Sequence, residues 1–193
     1  MKTKLVFLGS DGSGKSTLIE FVKKELRKEG IKAESFVFGW KDFHNPLLKA
    51  ISNFYLKRRK EEKERIDRFR NRSFLFYLIY YAELWQRYLK VLFSDAEIIL
   101  FDRYFYDELA FASSWKQKLF SFITPKPDLC VVIKTNIKTM RKRSYKTPKE
   151  KYDYFYEHLL SLKKPCKTIV LDGSNNLNEL YWEIKESLKS RKI

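Results

Sequence analysis

Soft metal ligands are scarce in this chain: two cysteines and two histidines in 193 residues. Cys130 and Cys166 have no CxxC partner and no metal-ligand spacing to His44 or His158. A zinc site, which takes about four such side chains, is therefore close to excluded, and both cysteines read as buried free thiols unless the fold brings them together. Long apolar runs are missing as well. The longest uncharged stretch near the middle, Ser73 to Ala82, is bounded by Arg72 and Glu83 and falls well short of the ~20 residues that a bilayer crossing needs. At the amino terminus Lys2 and Lys4 lead into only a short apolar run from Leu5 to Gly9, with no small-residue cleavage site. That is too little for a secretory signal, so the expected compartment is the cytoplasm.

What is present argues for a folded, basic protein. Hydrophobic residues make up 44% and aromatics 17%, against 33% charged, far from the low-hydrophobicity composition of disordered chains. Lys and Arg number 40 against 24 Asp and Glu, a net of +16, which draws polyanions and phosphorylated ligands but says nothing about fold. Two segments hold most of the excess: nine basic against four acidic residues from Lys57 to Arg72, and seven against one from Lys138 to Lys151.

Strands and helices alternate. Lys2 to Leu8 reads as a strand stopped by a glycine-rich loop, and Thr17 to Lys28 carries Leu18, Ile19, Val22 and Leu26 at helical spacing before Gly30. Glu34 to Phe38 reads as the second strand, and Pro46 to Lys57 begins a helix. Phe74 to Phe93 reads as one long helix or a kinked pair, and Glu97 to Phe101 as the third strand. A helical segment from Asp107 to Phe122 is broken by Pro125 and Pro127 ahead of a fourth strand, Leu129 to Ile133. Helices over Lys138 to Arg143 and Lys149 to Leu162, a fifth strand from Thr168 to Leu171, and a helix from Leu177 to Leu188 complete the pattern. Strands that are apolar on both faces predict a parallel sheet covered on both sides.

One segment carries chemistry. Gly9-Ser10-Asp11-Gly12-Ser13-Gly14-Lys15-Ser16 matches GxxxxGK[ST] in full, between the first strand and the first helix. Glycines let successive N–H groups turn inward onto a phosphate, and the helix beginning at Lys15 adds its positive end. Lys15 is then expected to reach the β- and γ-phosphates and Ser16 to ligate Mg²⁺. The expected fold is α/β, a three-layer α/β/α P-loop NTPase fold with a five-stranded parallel sheet, as one domain over residues 1–193.

Phe101-Asp102-Arg103-Tyr104 closes the third strand. Ligands of open α/β sheets sit beyond the carboxyl ends of the strands, so Asp102 is placed to hold Mg²⁺ and Arg103 to clamp an acceptor phosphate. A helix-capping Asp beside a surface Arg is the plainer alternative. The basic run Arg141-Lys142-Arg143-Ser144-Tyr145-Lys146 offers mobile cations to a transferred phosphoryl group, or else a solvated face. Phe74, Phe76, Tyr77, Tyr80, Tyr81 and Trp85 recur at helical spacing. Such residues are usually core, with Phe76 the candidate to stack on an acceptor base.

Together these residues resemble the thymidylate kinase family of P-loop nucleoside monophosphate kinases. The phosphate loop reads G-S-D-G-S-G-K-S-T, and Asp102-Arg103-Tyr104 with Leu109-Ala110-Phe111 resembles the family's DRY…LAY segment. Pro127-Asp128-Leu129 opens the fourth strand, Arg143 stands sixteen residues past that proline, and Leu171-Asp172-Gly173-Ser174 ends the fifth strand. The resemblance spans nearly the whole chain. It implies an ATP- and Mg²⁺-dependent enzyme converting dTMP to dTDP, with ATP on the loop from Gly9 to Thr17, including Ser10, Gly12, Ser13 and Gly14. It further implies that Asp11 contacts the acceptor sugar's 3′-hydroxyl, Arg103 holds the acceptor phosphate, Tyr104 packs where a ribose 2′-hydroxyl would sit, and Arg143 lies against the donor adenine. Because the residue after Gly12 is Ser13, a short basic lid around residues 141–150 must supply the catalytic charge, with Arg141, Arg143 and Lys146 as candidates.

The chain also departs from the family pattern. Tyr80, Tyr81 and Ala82 stand in the region of the middle helix where an arginine reads the thymine edge, and Gly39-Trp40-Lys41-Asp42 replaces Arg-Glu-Pro. Asp107 replaces a serine, and Lys134 stands where an Asp is common. Two alternatives stay open. One is a kinase for another phosphorylated acceptor, such as a polynucleotide 5′ end bound by the basic segment from Lys57 to Arg72. The other is a nucleotide-binding protein without catalysis. Relatives commonly form homodimers through their middle helices, and Phe74 to Trp85 would supply such a surface.

Overall fold

In the computed structural model, which describes residues 2–39, 46, 50, 74–110, 112–142, 149–162, 164 and 166–189, β1 (Thr3–Leu8) is followed by α1 (Lys15–Lys28) and β2 (Ala33–Val37). Then come α2 (Phe74–Leu92), β3 (Ile98–Asp102), the short α3 (Phe105–Leu109), α4 (Ser114–Ile123) and β4 (Leu129–Lys134). The chain ends in α5 (Ile137–Lys142), α6 (Lys149–Ser161), β5 (Lys167–Asp172) and α7 (Leu177–Lys189). The strands pair in the order β2-β3-β1-β4-β5, all in parallel.

Neighbouring side chains on each strand feed opposite faces. Leu5 and Phe7 of β1, Leu100 of β3, and Val131 and Ile133 of β4 pack with Leu18, Ile19 and Val22 of α1 and Leu180 and Ile184 of α7. Val6, Leu8, Phe101, Cys130 and Val132 point the other way, onto α2, α3 and α6. This second layer is aromatic: Tyr77, Phe101, Phe105 and Tyr106 are fully buried, and Tyr81 packs on Phe120 with ring centroids 4.5 Å apart. Each large side chain removed from water in this way contributes about 1.5–3 kcal/mol. Both faces are therefore dry over the three central strands, β3, β1 and β4, as their unbroken apolar runs require.

The five strands fall within a residue or two of their sequence expectations. The segment expected as α2 is a single helix, whose Tyr77, Tyr80, Tyr81, Leu84, Tyr88 and Val91 form the buried stripe. Within it Arg87 Nε donates to Glu83 Oε1 at 3.0 Å, one turn apart and buried. The helix expected from 107 to 122 is instead two. The first ends at Leu109; Ser113, in an extended conformation with φ −67° and ψ 156°, immediately precedes the second without a side-chain cap bond, and Gln117 Nε2 bridges the break by donating to the carbonyls of Leu109 and Ala112. The helix expected over 46–57 and the basic segment 57–72 lie outside the described residues, apart from 46 and 50. Cys130 and Cys166 are both free thiols, and the hydrogen bond to Cys166, together with burial, pushes the Cys130 thiol far above its ordinary range. No described helix is long and apolar enough to cross a membrane.

Candidate active site

All five strands end at one edge of the sheet, where parallel α/β folds bind their ligands. The first feature there is the turn between β1 and α1. Gly14 caps α1 at φ 97°, a left-handed conformation that side chains resist. Gly9 leaves no room for a side chain, since a Cβ would come within 2.6 Å of the Ile133 carbonyl. The loop thus lies flat on β4 with its backbone facing a cleft of about 580 Å³.

Lys15 opens α1 and folds back into the loop, where its Nζ donates to the Ser10 carbonyl at 2.7 Å. Burial, and next the nearby Arg103, lower its pKa to about 8. At the next residue, Ser16 Oγ donates to Asp102 Oδ2 at 2.7 Å. Asp102 ends β3 directly opposite Phe7 of β1 and Val37 of β2. This hydroxyl–carboxylate pair is a hard, all-oxygen donor set, and among the described residues no group of three or more His, Cys, Asp and Glu could hold a metal. Such a pair fits Mg²⁺, which takes one or two protein oxygens and completes its shell with water and substrate phosphates.

Arg103 reaches across from the β3–α3 turn. Its Nη2 donates to Asp11 Oδ1 in an ion pair, and its Nη1 lies 3.5 Å from Asp107 Oδ1. Asp107 is buried and its Oδ2 accepts the Tyr104 N–H at 2.9 Å; burial raises the carboxyl above its usual range against the pull of Arg103. Gly39 packs beside the Arg103 stem, and the end of β2 is held by Arg87, whose Nη1 donates to the carbonyls of Val37 and Gly39. Beside the phosphate loop, where a Cβ on Gly173 would come within 2.5 Å of the Ser13 carbonyl, Gly173, Ser174 and Asn175 line the cleft.

Asp11, Lys15, Ser16, Asp102 and Arg103, each singled out in the sequence, are thus brought to one cleft. Tyr104 is not. It is fully buried and its hydroxyl donates to the Pro125 carbonyl at 2.9 Å, because the turn that sends Arg103 toward the cleft sends the next side chain into the aromatic layer. The side chains of Phe76 and Arg141, and all of Arg143, lie outside the described residues.

Two residues that sequence reading passed over brace the loop from behind. The Tyr156 hydroxyl accepts the Ser10 N–H at 3.0 Å and donates to the Ile133 carbonyl at 2.7 Å. Thr135 Oγ1 donates to the Ser13 carbonyl at 2.9 Å. Nothing in the sequence separates Tyr156 from the core tyrosines of α6.

A cradle of main-chain N–H groups with a buried lysine handles the terminal phosphates of a nucleoside triphosphate, and an arginine facing it across the same cleft is suited to a second phosphate. That combination defines a P-loop phosphotransferase. A family model for thymidylate kinase matches residues 7–184, and the chain belongs to the thymidylate kinase family, a group of nucleoside monophosphate kinases. It is 25% identical over 190 residues to a probable thymidylate kinase of Methanobrevibacter smithii, covering 95% of this chain and 93% of the relative. A second probable thymidylate kinase, from Archaeoglobus fulgidus, is 24% identical over 194 residues, with 94% and 92% covered. Among solved structures, the thymidylate kinase of Candida albicans superimposes with a TM-score of 0.65 at 17% identity, over 99% of this chain and 92% of that one. That of Ehrlichia chaffeensis gives 0.58 at 17% identity, over 97% and 98%.

Proposed function

We propose that this protein transfers the γ-phosphoryl group of ATP to the phosphate of dTMP, giving dTDP and ADP. The observation that carries this reading is the convergence of Lys15 and Arg103 on one cleft, where Arg103 pairs with Asp11 of the phosphate loop. An oxygen of the acceptor phosphate forms a bond to the γ-phosphorus as the bond to the β–γ bridging oxygen breaks, and ADP leaves with that electron pair. The acceptor oxygen is already anionic, so no general base is needed; catalysis is positioning and charge neutralisation.

The loop N–H groups and Lys15 hold the β- and γ-phosphates. Arg103 exchanges its Asp11 partner for the acceptor phosphate, and Asp11 is then free to accept from the sugar 3′-hydroxyl. Ser16 Oγ and Asp102 Oδ2 would hold Mg²⁺, which when bound neutralises charge on the β- and γ-oxygens. Arg141 and Arg143 supply the lid charge that Ser13 does not. The protein acts in the cytoplasm as a homodimer through α2, whose Phe74, Leu75 and Leu78 are exposed; light scattering returning a monomer at working concentration would reject the dimer.

The functional test is ADP release from ATP and Mg²⁺ against dTMP, dUMP, UMP, CMP, AMP and GMP, with a Lys15→Ala control. Turnover with dTMP that the control lacks supports the reading. Silence across the panel with ATP still bound rejects it.

A further inference from the structure

One carboxylate beside the cleft has no part in the transfer itself. Asp107 is 4% exposed, so it meets neither solvent nor substrate directly. Its two oxygens do different work. Oδ2 accepts the Tyr104 N–H at 2.9 Å, which is the third residue of α3 reaching back to the residue before the helix, the reciprocal half of a capping box. Oδ1 faces Arg103 Nη1 at 3.5 Å.

The first contact matters because of the backbone next to it. Arg103 has φ 69°, the only positive φ at a non-glycine among the described residues, a conformation costing an L-residue about 1–2 kcal/mol. That strain is what turns the arginine away from the strand and over the phosphate loop. It is held from both sides: the Arg103 N–H donates to the Phe7 carbonyl at 3.0 Å, and the Tyr104 N–H, on the peptide that sets the arginine's ψ, is fixed by Asp107. The second contact holds the guanidinium itself. Asp11, its other partner, has a side chain 60% exposed and can give way to an incoming phosphate, whereas Asp107 is locked under α3.

We propose that Asp107 is the positioning residue for Arg103: a single buried carboxylate fixes both the strained turn that aims the arginine and the guanidinium that meets the acceptor phosphate. This rests on the reading of Arg103 as the acceptor-phosphate ligand.

Two variants separate the two jobs. Asp107→Asn keeps an oxygen for the Tyr104 N–H but removes the charge, and Asp107→Ala removes both. In Asp107→Asn we expect the KM for dTMP to rise about ten-fold, the size of one charge-assisted contact, with the KM for ATP and the melting midpoint little changed. Asp107→Ala adds a lower melting midpoint. A residue that merely capped α3 would be rescued by Asn, so a wild-type dTMP KM in Asp107→Asn overturns the proposal, as does an equal rise in both KM values. A readout independent of the acceptor is the Arg103 Nη1–H resonance, assigned by its loss in Arg103→Lys. It should be shifted and slow to exchange in the wild type and lose that protection in Asp107→Asn, where only the Nη2 pair with Asp11 is left; an unchanged resonance overturns the proposal even if dTMP is not the substrate. Absence of dTMP turnover in the wild type counts instead against the proposed function.

Discussion

In the proposed reaction the two sides of the cleft meet phosphate by different means. On the donor side the grip is one continuous stretch, Gly9 to Thr17, in which main-chain N–H groups and a single lysine do the work. On the acceptor side Arg103 depends on groups far apart in sequence: the Phe7 carbonyl, Asp11 of the phosphate loop and Asp107 of α3. A main-chain cradle survives as long as its glycines do. A side-chain arm survives only while several distant contacts keep it aimed, so the acceptor side is where sequence divergence has the most ways to alter specificity.

Removing a charge from each side should separate them, and the largest effect belongs to the donor side. Lys15→Ala should lower the rate of ADP release at saturating substrates by about 10²–10³-fold, the loss expected for a preorganised charge at the reacting phosphate. Arg103→Lys should leave the KM for ATP nearly unchanged and raise that for dTMP by about 10–100-fold, because an ammonium cannot reproduce the two-pronged guanidinium; a comparable change in both constants would erase the distinction.

Alkaline pH should sharpen the contrast without any mutation. Burial holds the Lys15 pKa at about 8 against the ordinary lysine value of 10.5, so in the free protein the ammonium is lost as pH rises through 8. ATP must then restore that proton, and its affinity should fall by about ten-fold per pH unit above 8, whereas Arg103 keeps its charge and dTMP binding should stay flat. The sign for folding is opposite: burying the charged lysine costs stability below pH 8, and the cost is relieved between 8 and 10.5. Titration calorimetry of each ligand from pH 7 to 9.5 checks this. The smallest effect is expected from Tyr156→Phe, which orphans the Ser10 N–H behind the loop at a cost to folding of about 1–3 kcal/mol; only the part that loosens the loop reaches the ligand, so ATP should weaken by about three- to ten-fold and dTMP stay within two-fold.

The same contrast explains what could be read from the sequence. Five strands, their parallel pairing and the phosphate loop are written in consecutive residues, so periodicity and one motif revealed them. Asp102 and Arg103 were legible as a pair at a strand end, but the left-handed turn at Arg103 was not, and without it Tyr104 looked like a site residue rather than the core residue it is. The break at Ser113 left no glycine or proline to mark it, and Tyr156 hid among the core tyrosines of α6 because its role is set by Ser10, 146 positions away.

The most direct test is to follow the label from γ-³²P-ATP with dTMP present. Label recovered in dTDP, and lost in Lys15→Ala, is the expected result. Label released only as inorganic phosphate, or left on ATP while both nucleotides bind, would contradict a transfer between the two sides of this cleft.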